Sequence, residues 1–144
     1  MASLGEIRDA LATAICDGVD TELMEYPEVP DVIRLPAIVV RPTVGDFTGA
    51  FQRGLDTWEF DVFVLVRRQE GPTQQELLDQ FISGNGPNSI RRAVYENSDL
   101  GLGDQGVYDA MVKKMVGYGG TFQVAHMPHT GAILKVTVQA DGAS

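Results

Sequence analysis

The segment from Thr57 to Val66 alternates with a strict period of two, and this constrains the fold more than any other stretch. In an extended backbone successive side chains point to opposite faces, so Trp58, Phe60, Val62, Val64 and Val66 share one side. Thr57, Glu59 and Asp61 occupy the other, but that side turns apolar at Phe63 and Leu65. A strand that starts wet on one face and ends buried on both belongs near the middle of a sheet, with something packed over it. Two short helical patterns follow directly and are the natural cover.

A chain of 144 residues fits one domain that can bury a substantial core without covalent staples. Cys16 is the only cysteine, so no internal disulfide and no multi-cysteine metal site is possible. The stretch Met1–Asp9 has neither a basic head nor an apolar run, so no secretory leader is expected. The longest apolar runs, Ala37–Val40 and Val62–Val66, are far below the roughly 20 residues of a spanning helix, and a soluble protein is expected. Twenty acidic residues stand against eleven basic ones. Residues 1–31 hold eight of the acids and only Arg8 as a base, whereas Lys113, Lys114 and Lys135 face Asp141 alone in residues 110–144. Such a chain is poorly suited to gripping nucleic acid, which takes lysines and arginines that displace counterions. The uneven charge is either a solvated acidic surface or a means of orienting molecules against one another.

Ser3-Leu-Gly-Glu6 has the form of a capping box, and Leu4, Ile7, Leu11 and Ile15 recur at helical spacing up to Gly18, which is placed to end the helix. Cys16 beside that stripe reads as a small buried hydrophobe. A short strand is expected around Leu23–Tyr26. Pro36 and Pro42 bracket another, in a position with limited pairing. Beyond the long strand, Thr73-Gln-Gln-Glu76 forms a second capping box for a helix carrying Leu77, Leu78, Phe81 and Ile82. Asn88 or Ser89 caps a third helix through about Glu96. Val107–Tyr118 fits either period, and alternation is preferred; Phe122–Met127 and Ala132–Gln139 alternate as separate strands, with Gly117, Gly119 and Gly120 marking a hairpin-like end. The expectation is an α+β fold: a mostly antiparallel mixed sheet with an N-terminal helix and two short helices packed on one face, a single domain over residues 1–140 and a disordered tail at 141–144.

Thr43–Gly54 is different in kind, with Gly45, Gly49 and Gly54 among two large apolar residues, Phe47 and Phe51. It is either a loop whose phenylalanines fold back on the core or an arm that inserts them into a neighbouring molecule.

No catalytic constellation emerges, so no catalytic residue, metal or cofactor is expected. Gly101-Leu-Gly103-Asp-Gln-Gly106 has dinucleotide-loop spacing, but a helix precedes it and no acid lies between Asp109 and Asp141 to hold a ribose, so it reads as a loop. His126-Met-Pro-His129 lacks further ligands for a closed site of about four, and two exposed histidines at a hairpin tip are expected. No nucleophile elbow is present. Glu22, Glu25, Glu28 and Asp31 lack calcium-loop spacing. Arg67-Arg68 and Arg91-Arg92 are too few for a nucleic-acid stripe.

The run Ile82-Ser-Gly-Asn-Gly-Pro-Asn-Ser-Ile-Arg-Arg-Ala-Val-Tyr-Glu96, followed by Ser98-Asp-Leu-Gly101, resembles the two-helix segment of tail terminator proteins of long-tailed bacteriophages. The N-terminal helix, the strand at Leu35–Val40, the Phe47 arm and the strand Trp58–Val66 are similar to that family in order and length. The resemblance implies a structural virion protein and not an enzyme, assembled in the bacterial cytoplasm as a homohexameric ring on the head-proximal end of the tail. Its implied partners are further copies of itself, the major tail tube protein, a neck or head-completion protein and the tape measure protein, with DNA only passing through the lumen and no membrane. An acidic lumen would let that DNA slide. Phe47, Thr48, Phe51, Gln52 and Arg53 of the arm, and Tyr118, Phe122, His126 and His129 of the Gly117–Gly131 hairpin, are the candidate subunit or tube contacts. Phe47→Asp and Phe51→Asp should then abolish rings and leave folding intact. A neck or minor tail protein is the neighbouring alternative; a small ligand-binding domain or enzyme is the alternative of another class.

Overall fold

The computed structural model describes residues 3–21, 23–26, 36–46, 56–66, 72–103, 106–124 and 127–140. Helix α1 (Leu4–Gly18) leads to strands β1 (Met24–Tyr26), β2 (Ala37–Asp46) and β3 (Asp56–Val66). Helices α2 (Pro72–Ile82) and α3 (Ile90–Glu96) follow, then β4 (Val107–Val124) and β5 (Met127–Ala140). The strands form one sheet in the order β1-β2-β3-β5-β4. Only β1–β2 is parallel; the other pairs are antiparallel, so the fold is α+β with a mixed sheet, as anticipated.

The alternating segment is the central strand β3. Phe60, Val62 and Val64 are completely buried, and across the ladder they stand opposite Val136, Leu134 and Ala132 of β5 on one side, and Pro42, Val40 and Ile38 of β2 on the other. This face packs against Ile7, Leu11 and Ile15 of α1, Leu78 and Phe81 of α2, and Ile90 and Val94 of α3. The opposite face is polar at Glu59 and Asp61, but Leu65, Ala37 and Val39 on it are buried as well. Burial on both faces at the end of β3 matches the loss of polar alternation there.

Helix starts follow their local chemistry. Ser3 Oγ accepts the Glu6 amide at 3.2 Å while Glu6 Oε1 accepts the Ser3 amide at 3.4 Å, completing the capping box. Ser89, not Asn88, caps α3, accepting the Arg92 amide at 3.1 Å. Asn88 instead accepts the Thr21 amide at 2.8 Å and donates to Gln80 at 2.7 Å, tying the end of α1 to α2. Helix α2 begins at Pro72, one residue ahead of the expected cap Thr73, since a proline in the first turn forfeits no helical hydrogen bond. Gly18 ends α1 without a left-handed turn: the cap, Val19, is extended.

Two strand expectations need correction. Pro42 does not end β2, which continues to Asp46 through a register shift between Pro42 and Val44, with the Thr43 hydroxyl donating to the Glu59 carbonyl at 3.2 Å. Limited pairing does hold, because β1 covers only Ala37–Val39. The glycines after Val116 do not separate two strands either. Gly117 and Gly119 adopt φ of 65° and 71°, and β4 absorbs them as an irregularity between Val116 and Gly120 before resuming its ladder. The expected break is therefore a bulge, and β4 runs on to Val124, with β5 starting at Met127. The terminal segment 141–144 lies outside the described residues.

Candidate functional site

Phe47, Thr48, Phe51, Gln52, Arg53 and His126 lie outside the described residues. The remaining candidates do not form one surface. Phe122 and His129 face each other across the β4–β5 ladder, and the Phe122 ring meets Phe63 edge-to-face at 5.6 Å and 76°. The side of Gly117 gives the Phe122 ring its room: a Cβ there would stand 3.1 Å from the ring. His129 is only 8% exposed, which corrects the expectation of an exposed pair of histidines. Pairing persists out to Val124 and Met127, so His129 sits inside the hairpin and not at its tip. Tyr118 is exposed, and its hydroxyl donates to the Asp79 carboxylate, bridging the bulge to α2.

The other sequence features resolve locally. Asp99 Oδ1 accepts the Gly101 amide at 3.0 Å, and Leu100 and Gly101 are left-handed, so the glycine-spaced segment is a turn at its start. Cys16 is half-buried, and its thiol is pushed up to about 12, chiefly by burial and further by the neighbouring Glu25 and Asp17 carboxylates. A thiol held neutral is a poor nucleophile. Among the described residues no group of three or more His, Cys, Asp or Glu side chains is placed to hold a metal.

On the face away from the helices, charges pair across strands. Lys135 Nζ lies 2.7 Å from Asp61, its direct cross-strand neighbour, and Lys113 lies 3.7 Å from Glu59. Lys114 and Thr137 line a depression of about 330 Å³ with Glu59, Lys113 and Lys135. The Asp61–Lys135 pair satisfies the β3–β5 register more than it creates a ligand site, and Lys113 of β4 reaches Glu59 of β3 across the intervening β5.

Sequence reasoning missed the feature that stands out in three dimensions. β4 is the last strand of the sheet and is eighteen residues long, and β5 is its only partner strand among the described residues. Its outer backbone edge therefore has no strand beside it among the described residues. Between this edge and α3 runs a groove of about 490 Å³, floored by Ala110, Met111 and Val112 and walled by Arg91, Tyr95 and Glu96. It continues as a second hollow of about 320 Å³ along Val112–Met115, with Arg91 again on its wall. Tyr95, Tyr108 and Met111 are 82%, 57% and 56% exposed, an unusual density of large apolar groups on a solvent face. The apolar alternation of β4 marks it as a strand, but its place at the edge depends on sheet order, which no local pattern encodes.

Compared with known protein families and with curated proteins, the chain matches no family model and no curated sequence.

Proposed function

We propose that this protein is a structural subunit that works by docking on other polypeptides, as the terminator that caps the head-proximal end of a bacteriophage tail tube. The observation that carries the assembly reading is the long outer edge of β4 with exposed Tyr108 and Met111 on it and Tyr95 beside it. Among the described residues no strand pairs with this edge; three register shifts and Lys113 and Lys114 interrupt it and limit open-ended strand pairing, which leaves the exposed Tyr108, Met111 and Tyr95 as the groups that another chain would cover. The terminator assignment within that class rests on the resemblance in the α2–α3 segment and in the order of the flanking elements.

In this reading the mechanism is steric. A ring built by contacts that close on rotation presents one face complementary to the last tube ring and another that accepts no further tube subunit. The protein transforms no molecule. Electron microscopy of particles assembled without it tests the assignment: overlong, headless tails are expected. Tails of normal length carrying heads would overturn it, and normal-length tails without heads would transfer the protein to the neck.

A further inference from the structure

We infer that the depression between the bulges of β2 and β4 is a binding site for a single phosphate-class oxyanion, gripped by Lys113, Lys114 and Lys135 with the Thr137 hydroxyl. This goes beyond the docking reading above and does not depend on it. β2 gains Thr43 between Pro42 and Val44, and β4 gains Lys113 between Val112 and Lys114. Both inserted residues line the same depression of about 330 Å³, which crosses β3 and β5 between them. Bulges are frequent beside functional sites because they re-aim a side chain out of the regular alternation. Here the β4 bulge gathers Lys113 and Lys114 around Lys135, the direct cross-strand partner of Lys114.

Local rules are broken at two points, and both breaks favour an anion. Lys114 directly opposes Lys135, and like charges so placed are destabilising. Lys135 Nζ turns to Asp61 at 2.7 Å and Lys113 to Glu59 at 3.7 Å, which leaves Lys114 without a carboxylate partner among the described residues. Each paired ammonium still has donors to spare, since a lysine carries three. Thr137, opposite Glu59 in the ladder, keeps its Oγ1 buried with no hydrogen-bond partner among the described residues. A buried hydroxyl normally has one. An oxyanion among the lysines relieves the Lys114–Lys135 repulsion and accepts from the Thr137 hydroxyl. Departures of this kind from local consistency concentrate at functional sites. The other acids of this sheet face, Asp46 and Asp109, stand one register row beyond Glu59 and Thr137 and do not line the depression. With them at its margin and a net charge of −9 on the chain, the site suits one small anion and not a nucleic-acid strand.

The test is a titration of inorganic phosphate into the purified protein at constant ionic strength, followed by backbone amide shifts in a two-dimensional NMR spectrum. Saturable shifts are expected around Thr43, Lys113, Lys114 and Thr137. Lys114→Gln should weaken binding about tenfold or more, and Thr137→Val about threefold or more. In phosphate-free buffer both variants should melt at or above the wild-type temperature, because each removes a liability of the unliganded sheet. A purely structural role predicts the reverse, with lower melting and unchanged phosphate affinity. Shifts that fail to saturate, affinity that survives both substitutions, or both variants melting well below wild type would overturn the inference. So would a short single-stranded oligonucleotide that binds more tightly per phosphate than the free ion, since the lysines would then belong to a nucleic-acid contact. None of these results touches the tail-length experiment, so this site and the terminator reading fail independently.

Discussion

Gly18 and Ala93 meet where α1 packs on α3: a Cβ built on Gly18 would lie 2.4 Å from the Ala93 Cβ. Glycine at the end of a helix ordinarily supplies a left-handed cap, yet here the cap is the extended Val19. The residue is glycine because the two helices touch. Arg92 reinforces the contact by donating to the Gly18 carbonyl at 3.2 Å. Gly18→Ala should therefore destabilise the fold by about 1–3 kcal/mol, despite the better helix propensity of alanine. Adding Ala93→Gly should recover part of the loss, and a double-mutant cycle in urea would report this coupling. Additive effects would mean that the cost of Gly18→Ala does not come from its contact with Ala93.

A tighter constraint holds at Gly131, where a Cβ would stand 1.9 Å from the Val64 carbonyl oxygen and 3.1 Å from the Leu65 Cα. Both obstacles are backbone of the central strand, so neither can rotate away. Gly131→Ala is expected to cost about 3 kcal/mol or more, or to prevent folding, because it must part β5 from β3. Gly86→Ala makes the useful contrast. Nothing lies within 4 Å of its Cβ position, and only the left-handed φ of 106° opposes the change, at about 1 kcal/mol. Thermal melts of the two variants should rank accordingly.

The Asp61–Lys135 pair is partly exposed, with 15% and 35% of the respective side chains accessible. Solvent screening keeps such pairs near 1 kcal/mol or below, so Lys135→Met should shift stability by about 0.5–1 kcal/mol, and less in high salt. Denaturation at two salt concentrations checks this. A salt-independent loss would assign the effect to the lysine stem packing on the strand.

Cys16 should react with a thiol reagent about a thousandfold more slowly in the native protein than in urea, since its thiol is raised from 9.0 to about 12. The raised value favours the neutral thiol in the folded state. Its contribution to stability is complete below pH 9.0 and is lost only as pH climbs towards about 12, so stability near neutrality gains no pH dependence from this group. Equal labelling rates in the two states would show that the site opens locally.

Much of the architecture was legible from residues 57–66, because a period of two with one apolar face has only one way to sit in a sheet. The Ser3–Glu6 capping box, the Ser89 cap and the apolar stripes likewise locate the helices, since an orphan amide needs an acceptor within a few residues, whereas α2 starts at Pro72, ahead of the expected Thr73 cap. Short-range rules misjudged the glycines. Gly117 and Gly119 read as a break but form a bulge inside a longer strand, and Gly18 ends α1 as expected but also makes a helix contact that no local rule contains. His129 reads as exposed because strands Phe122–Met127 and Ala132–Gln139 put the hairpin tip at 128–131, later in the chain than the end of β4 at Val124.

What the sequence determined by itself is therefore local: which segments are helix or strand, which face of each is apolar, and an N-terminal region rich in acid. Tertiary structure alone decided that β4 lies at the sheet edge, that α3 forms a groove with it, and that acidic α1 packs on β1, β2 and α3. Hydrogen-bonding periodicity and capping act over a few residues and are written in neighbouring side chains. Sheet order is settled by how the whole set of apolar faces is buried together, and no window of sequence contains that information.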